Sequence, residues 1–328
     1  MTRTKNMVQA AALAVALGQF VLPASAAQDA YPSKPITMLV PYPAGQSVDL
    51  LARVVSDGLA KVLGQPIIVE NKPGAGGTLG TGMVARAAPD GYTLGMSSSG
   101  PLGIAPHLFK NTNYDPVKDF TAIMDVAAVA QTMVVSAKSD IKSVQDLVAA
   151  AKARPNKLNF GSPGNGSTSH LTQEMFKQRA NVQMLHVPYK GGPAAITDLI
   201  GGQIDVLFEA SPTVTPFVNR GDLRALAVTT RESIPALPEV KPLASMGYDD
   251  FEAVGWMGII GPAHMPPEIV QKLHAALVKT LQDPAVREKL DTQGMLTIGD
   301  SPQEFAAFIK SESEKWGSVI RSADIKVQ

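Results

Sequence analysis

Two loops rich in glycine and serine are the parts of this sequence best equipped to bind a ligand. The first, residues 41–49 (PYPAGQSVD), lies between a strand-like run, Ile36–Val40, and a helix-like run. The second, residues 161–169 (GSPGNGSTS), also follows a strand-like run and precedes a helix. A loop that opens a helix leaves backbone N–H groups unpaired and presents the positive end of the helix dipole. Each loop is therefore predicted to bind an anion such as a carboxylate, and together they indicate a ligand held between two lobes.

In the first loop, the backbone N–H groups of residues 45–48 are the predicted carboxylate donors. Ser47 and Asp49 stand where the helix begins, so each can simply cap it. Asp49 has a second alternative, which is to accept a hydrogen bond from a hydroxyl or amine of the ligand. In the second loop, the hydroxyls of residues 167–169 can hold the same carboxylate or the second carboxylate of a diacid, whereas an ordinary N-cap needs only one of them.

Four further polar side chains follow the second loop in the sequence: His170, Glu174, Tyr189 and Glu209. His170 and Glu174 share a helical face, and the preferred interpretation is a hydrogen bond between them behind the loop. A metal site is the weaker alternative, because the sequence has no HExxH pattern and no evident third ligand. Tyr189 can belong to a rigid turn at the end of a strand. Glu209 ends a strand, where it is either an exposed acid or a partner for a ligand amine or hydroxyl.

The sequence contains no recognisable catalytic constellation. It lacks a GxSxG elbow, a GxxxxGK[ST] phosphate loop and a GxGxxG run before a helix. It also has no cysteine, which excludes disulfides and thiol catalysis. A secreted α/β enzyme acting on carboxylates is therefore an alternative for which no nucleophile or acid–base pair can be named.

The elements that must position these loops alternate between strand-like and helix-like runs. One series occupies the first third of the chain, and a second begins near residue 131 and ends with Leu223–Val228. The strand-like runs are short and continuously apolar, which is typical of strands buried on both faces. We therefore expect a parallel sheet with right-handed crossovers. A proline-rich tract at 234–242, a further strand and three helices complete the chain.

The composition and the N-terminal segment limit the possible functions and the cellular location of this protein. Lys plus Arg equal Asp plus Glu at 29 each in 328 residues, so there is no basic excess to indicate nucleic-acid binding. Arg3 and Lys5 precede an apolar stretch at 7–22, and small residues end at Ala26, which is typical of a secretory signal cleaved near that residue. The apolar stretch is short for a membrane anchor. The mature protein is therefore expected to be soluble and exported.

The order of several short motifs resembles the substrate-binding proteins of tripartite tricarboxylate transporters, also called Bug-type receptors. The motifs are VPYPAG at 40–45, DLLAR at 49–53, VENKPGAGG at 69–77, PDGYT at 89–93, NFGSPG at 159–164, GSTSH at 166–170, HVPYKG at 186–191, DLIGGQID at 198–205 and PPE at 266–268. Each motif is weak alone, whereas their succession along the chain is specific.

This resemblance implies an α/β fold of the type II periplasmic binding protein class, with two α/β lobes and a ligand cleft between them. Lobe one would comprise residues 28–128 and 230–328, and lobe two residues 129–229. Such a protein is no enzyme and needs no cofactor or metal. As a monomer it would close around a small organic carboxylate and deliver it to integral membrane transporter subunits. A sensor subunit that binds a carboxylate for signalling is the remaining alternative.

The resemblance and the loop chemistry together give a set of expected ligand-binding residues. They are Tyr42, Ala44, Gly45, Gln46, Ser47, Asp49, Ser97, Ser98, Ser162, Gly166, Ser167, Thr168, His170, Tyr189, Gly191 and Glu209. Gln46 departs from the family, which commonly has a second glycine there. Its amide either reaches the ligand and narrows specificity or points outward and stiffens the loop. Aromatic acids, dicarboxylates and amino acids all remain open as ligands.

Overall fold

The computed structural model describes residues 31–109, 112–189, 191–323 and 325. The signal-like segment lies outside these residues, as does Lys190. The chain divides into residues 1–33 and 34–328, and the fold described below is that of the second unit.

Strands and helices alternate through most of this unit. The strands are β1 Ile36–Val40, β2 Ile67–Asn71, β3 Thr93–Ser98, β4 Phe120–Ser136, β5 Asn159–Ser162, β6 Leu185–Pro188, β7 Val206–Ala210, β8 Leu223–Val228, β9 Val254–Pro262 and β10 Leu296–Thr297. The helices are α1 Ser47–Leu63, α2 Thr78–Ala85, α3 Ala105–Leu108, α4 Val144–Ala153, α5 Thr168–Ala180, α6 Gly192–Ile200, α7 Ser211–Asn219, α8 Pro267–Gln282, α9 Pro284–Thr292 and α10 Pro302–Ser322. The expected alternation of strand and helix is confirmed.

The strands form a mixed sheet rather than the parallel sheet expected from the sequence. Their order is β2-β1-β3-β9-β4-β7-β5-β6, and β8 and β10 also pair with β4. β1 is parallel to β2 and β3, and β5 is parallel to β6 and β7. β9 and β4, however, are antiparallel to each other and to their other neighbours. The expectation of an entirely parallel sheet is therefore wrong, because two antiparallel strands join the two parallel groups.

β4 is the element that the sequence indicates least well. Its 17 residues exceed the usual strand length several-fold, and a strand was expected only over its last six. The first part pairs with β9 and β10, and the last part pairs with β7 and β8. The middle of β4 is rich in alanine, which has low strand propensity, so tertiary pairing determines its conformation.

α1 shows how the sequence forms the helix behind the first loop. Its buried residues recur with helical spacing and include Val48, Leu51, Val55 and Leu59, so one face packs inward. The helix ends at Gly64, which takes the left-handed conformation at φ 71°. α1 packs against α8 and α9 and thereby presents its N-terminus at the carboxyl end of β1.

Two hydrophobic clusters support the two parallel groups of strands. One contains Trp256 and Phe305, whose ring centroids lie 5.6 Å apart. The other contains Phe160, Phe176 and Phe208, and all three side chains are fully buried. Phe208 is therefore a core residue. Among the described residues, no helix combines the length and apolar character needed to cross a membrane.

Candidate functional site

The first loop is fixed from behind by the buried side chain of Asp49, which is only 1% exposed. Its Oδ2 accepts hydrogen bonds from the backbone N–H of Gly45 at 2.8 Å and from Nε of Arg53 at 3.0 Å. Its Oδ1 accepts a hydrogen bond from Nδ2 of Asn71 at 2.8 Å. Burial acts to raise the pKa of Asp49, but the hydrogen bonds from Arg53, Gly45 and Asn71 together lower it below its usual value. Both oxygens are occupied, so we assign Asp49 the positioning of the loop.

Asn71 extends this network to the neighbouring strand β2. Its Nδ2 also donates to the carbonyl oxygen of Tyr42 at 3.0 Å, and its Oδ1 accepts from Arg53 at 3.1 Å. The loop is therefore held by side chains of α1 and β2 and not by contacts on its outer surface.

The backbone N–H groups available in the first loop are fewer than the sequence predicts. The N–H of Gly45 is taken by Asp49, and that of Gln46 points to the carbonyl of Pro43 at 3.4 Å. The N–H groups of Ser47 and Val48 have no hydrogen-bond partner among the residues that the structure describes. Gly45 has φ +84°, a conformation that favours glycine and that turns the chain into α1.

The helix cap at this loop differs from the expectation for Ser47. The N-cap residue is Gln46, and its side chain makes no capping hydrogen bond. Ser47 is the first helical residue, so its expected role as the cap is wrong. Ala44, Gln46 and Ser47 are all exposed at the surface of the loop.

The second loop begins α5 with a conventional serine cap. Ser167 is the N-cap, and its Oγ accepts from the N–H of His170 at 3.2 Å and donates to the carbonyl of Gly164 at 2.8 Å. The hydroxyl of Ser169 donates to the carbonyl of Phe208. The backbone N–H groups of Thr168 and Ser169, by contrast, have no partner within the described parts of the chain. Two free N–H groups are therefore present at the start of α5, as at the start of α1.

Hydroxyl groups connect the two loops through the end of β3. The hydroxyl of Tyr42 lies 3.0 Å from Oγ of Ser98, and Oγ of Ser99 lies 3.3 Å from Oγ1 of Thr168. Ser97, in contrast, faces α2, where its Oγ lies 3.2 Å from Oγ1 of Thr81. The structure thus brings the first loop, the end of β3 and the start of α5 together. Ser99 is not in the set of expected binding residues, although it stands in a run of three serines, 97–99, two of which are in that set.

A stack of neutral aromatic rings supports the second loop. The rings of His170 and His186 lie 3.8 Å apart at an angle of 8°, and Phe160 stacks on His186 at 4.7 Å. Nδ1 of His170 accepts from the N–H of Gly166 at 3.1 Å, and Nε2 of His186 lies 2.7 Å from Oγ of Ser162. Burial lowers the pKa of His170 to about 3 and that of His186 to about 4. Both rings are therefore neutral near pH 7.

The expected hydrogen bond between His170 and Glu174 is not present. Nε2 of His170 lies 3.9 Å from Oε1 of Glu174, which is too long for a hydrogen bond, and Glu174 is instead paired with Lys177 at 2.8 Å. His170 does act behind the loop, but its partner is the backbone of Gly166.

Tyr189 and Gly191 fasten the neighbouring loop to the second loop. The hydroxyl of Tyr189 donates to Oδ2 of Asp198 at 2.8 Å, so it is not a free donor for a ligand. Burial and the contact with Asp198 raise the pKa of Tyr189 to about 12. The N–H of Gly191 donates to the carbonyl of Pro163 at 3.2 Å, which joins this loop to residues 161–169.

Glu209 ends β7 in a buried environment, with 7% of its surface exposed. Its Oε1 accepts from the N–H of Ala210 at 2.9 Å. Its Oε2 is buried and has no hydrogen-bond partner in the part of the chain that the structure describes. The alternative of an exposed strand-end acid is therefore wrong.

The site shows no arrangement for catalysis. Ser162 and His186 are in hydrogen-bond contact, yet Ser162 has no exposed surface and also interacts with the backbone of Gly164. The lowered pKa of His186 makes its ring a weak base. Across residues 31–109, 112–189, 191–323 and 325, no group of three or more His, Asp and Glu side chains is arranged to hold a metal ion. What remains is a set of neutral donors suited to binding an anion.

The fold and this site define a substrate-binding protein of the periplasmic binding-protein class and not an enzyme. A family model described as the tripartite tricarboxylate transporter family receptor matches residues 51–325, and the chain belongs to this family. It is 35% identical over 315 residues to protein BugT of Bordetella pertussis, with 96% of each chain covered.

Two solved structures from Rhodopseudomonas palustris are similar along their whole length. One is Rpa4515 with adipate, which is 31% identical with a TM-score of 0.78 and covers 90% of this chain and 99% of that one. The other is MatC with bound malate, which is 30% identical with a TM-score of 0.75 and covers 88% of this chain and all of that one. The expected family and fold class are thereby confirmed.

Proposed function

We propose that this protein is a periplasmic receptor that captures a small organic carboxylate and delivers it to the membrane subunits of a tripartite transporter. The observation that carries the proposal is the juxtaposition of two helix starts with unpaired backbone N–H groups. Ser47 and Val48 supply these groups in α1, and Thr168 and Ser169 supply them in α5. The contact between Ser99 and Thr168 brings the second helix start to the end of β3.

The ligand carboxylate is bound in this proposal by neutral donors. Backbone N–H groups at a helix start, aided by the helix dipole, stabilise an anion without an arginine or lysine. The hydroxyls of Ser98, Ser99 and Thr168 add donors beside them. The adipate and malate in the two similar structures support a small carboxylate as the ligand.

Lobe closure is the proposed means of capture. The proposed lobes are residues 28–128 with 230–328 and residues 129–229. The boundary after residue 128 falls within β4, two residues before its pairing passes from β9 to β7. A ligand held by α1 of one lobe and α5 of the other would shift the equilibrium toward a closed form. The N-terminal pattern ending at Ala26 supports export, and the receptor would act as a monomer in the periplasm.

A screen of carboxylates by thermal unfolding tests the proposal. The panel contains mono- and dicarboxylates of two to eight carbons, and each acid is matched by its neutral amide as the control. An acid present at several hundred times its Kd should stabilise the protein by about 3–4 kcal/mol, whereas the amide should not. If no acid raises the melting temperature, the proposed function is wrong.

Small-angle scattering tests closure separately. The acid that stabilises the protein most should reduce the radius of gyration at saturation. Thr168→Pro serves as the control, because proline is tolerated in the first turn of a helix but removes one of the two free N–H groups of α5 and the hydroxyl that contacts Ser99. The radius of this variant should fall less at the same concentration of acid. An unchanged radius with bound acid would leave binding intact and contradict closure.

A further inference from the structure

Glu209 has a carboxyl oxygen that the protein does not satisfy. Oε1 accepts the N–H of Ala210, whereas Oε2 is buried without a hydrogen-bond partner among the described residues. A buried oxygen of this kind costs free energy unless a partner is supplied. In a binding protein, an unpaired oxygen of this kind indicates that a hydrogen-bond donor is missing from the site.

Oε2 of Glu209 lies beside Gly192 at the start of α6, and the residues next to Glu209 and Gly192 contact the second loop. The preceding residue, Phe208, accepts the hydroxyl of Ser169 at the start of α5. The loop that opens α6 joins the second loop through Gly191 and Pro163. A Cβ added to Gly192 would lie 2.7 Å from Oε2 of Glu209, so the carboxyl occupies the space that a side chain at residue 192 would need.

Burial disfavours the ionised form of Glu209, whereas two neighbouring features favour it. Burial raises its pKa to about 7, and the hydrogen bond from Ala210 opposes that rise. The start of α6 adds the positive end of a helix dipole. An ionised carboxylate only accepts hydrogen bonds, so the partner of the ionised form is a donor.

The elements packed against β7 bring few charges to this place. β5, α7 and residues 131–134 of β4 carry no titratable side chain. On α5, His170 is neutral near pH 7, Glu174 is paired with Lys177, and Arg179 donates to the carbonyl of Asp249. On α6, Asp198 accepts the hydroxyl of Tyr189. None of these groups supplies the donor that Oε2 lacks.

We propose that Glu209 is a ligand-binding residue whose Oε2 accepts a hydrogen bond from a hydroxyl or ammonium group of the bound acid. The protein then selects hydroxy acids and amino acids over the corresponding unsubstituted acids. This inference rests on the proposed function, because the carboxylate of the same ligand is held by the starts of α1 and α5.

Calorimetric titration with matched acids tests this selection. The first series is succinate, malate and aspartate, and the second is adipate, 2-hydroxyadipate and 2-aminoadipate. Within a series that binds, a hydroxy or amino acid should bind about tenfold or more tightly than the unsubstituted acid, because a hydrogen bond to a charged group stabilises more than a neutral one. Equal affinities within each series would overturn the inference and leave the receptor function intact. If neither series binds and the wider acid panel also fails, both proposals are wrong.

Two variants connect the selection to Glu209. Glu209→Gln should abolish the preference and leave the unsubstituted acid within about threefold of its original Kd. Gly192→Ala keeps the carboxyl of Glu209 but displaces it, so this variant should weaken the binding of the hydroxy and amino acids. Asp198→Asn, the control at a nearby acid, should preserve the preference. An equal loss of all acids in Glu209→Gln, with an unchanged melting temperature, would contradict the proposal.

The pH dependence separates a donor from an acceptor on the ligand. A ligand that donates to Oε2 stabilises the ionised form, so binding near pH 7 should release protons and tighten as the pH rises from about 6 to 8. Calorimetry in two buffers of different ionisation enthalpy measures this release. Proton uptake, with tighter binding at lower pH, would mean that a protonated Glu209 donates to the ligand and would overturn the inference.

Discussion

The two helix-start loops offer the same kind of backbone donor but are held in place by different chemistry. Behind the first loop lies an ionised network in which Asp49 binds Arg53, Asn71 and the N–H of Gly45. Behind the second loop lie the neutral rings of His170 and His186, which bind Gly166 and Ser162. The site as a whole is thus supported by one charge pair and one uncharged stack.

This difference shows two ways of holding a loop near a bound anion. A lone carboxylate behind the first loop would repel the ligand, but Arg53 neutralises Asp49 within about one hydrogen-bond length. A neutral imidazole accepts a backbone N–H and introduces no charge. The two supports should therefore fail under different conditions.

Acid should weaken the second loop first. The histidine pKa values lie at about 3 and about 4 in the folded protein, compared with 6.5 in the unfolded chain. The unfolded chain therefore binds protons first, and stability is lost as the pH falls from about 6.5 toward 4. We expect the free energy of unfolding to fall by about 3 kcal/mol for the pair by pH 4, a value reduced for solvent screening of the half-buried His186.

Urea unfolding at several pH values measures this loss. Asp49 has a lowered pKa, so its stabilisation is present above about pH 4 and is lost only as the pH falls below that value. Replacing His170 with phenylalanine should flatten the curve between about pH 6.5 and 4. Burial raises the pKa of Glu209 to about 7, of Asp125 to about 8 and of Asp300 to about 6, so these carboxyls add stability as the pH falls and oppose the histidines. The difference between the wild-type and His170→Phe curves isolates the stack, and a difference that does not change between about pH 6.5 and 4 would contradict it.

Asp49→Asn should break the support of the first loop. The substitution retains the size of the side chain but removes the charge that Arg53 requires and one acceptor for N–H groups. Because Arg53 is half exposed, the cost should be about 2 kcal/mol, below that of a fully buried pair. Urea unfolding near pH 7 measures it, and Asp57→Asn on the exposed face of α1 is the control. A cost equal to that of the control would show that Asp49 does not hold the loop.

His170→Phe separates hydrogen bonding from stacking in the second loop. Phenylalanine can stack on His186, but it leaves the N–H of Gly166 without its acceptor. The loss of one hydrogen bond corresponds to about 1 kcal/mol, so ligand affinity should fall about fivefold. Glu174→Gln should leave affinity within about twofold, because Glu174 does not bond to His170. Calorimetry with the acid found in the screen measures both variants.

Gln46→Gly should have the smallest effect. The side chain of Gln46 is exposed and forms no capping hydrogen bond. Glycine is acceptable at an N-cap, so stability should change by only about a few tenths of a kcal/mol. Ligand affinity should stay within about threefold when measured by calorimetry. A tenfold loss would instead assign Gln46 a direct contact with the ligand.

Features that depend on neighbouring residues can be recognised from local signals in the sequence. Ser143 caps α4, Asp283 caps α9, and Ser301 with Glu304 forms the capping box of α10. Each of these involves a side chain and an N–H group within a few residues, so spacing is sufficient. The positions of both helix-start loops were accessible for the same reason.

Features formed between distant residues were not accessible. The contact of Ser99 with Thr168 spans 69 positions, and the stack of His170 on His186 requires α5 and β6 to be placed first. The hydrogen bond from Asn71 to Asp49 depends on the pairing of β1 with β2. The sequence therefore identified the two loops, but it did not show which of their polar groups form hydrogen bonds within the protein.

The bare backbone of Gly192 has a consequence for engineering. A methyl group there would meet the carboxyl of Glu209, although the two positions are 17 residues apart in the chain. A mutant library that varies only one of these two positions will mostly contain variants with a steric clash or a cavity at this place. Residues 192 and 209 should therefore be randomised as a single unit, with a larger side chain at one position matched by a shorter one at the other.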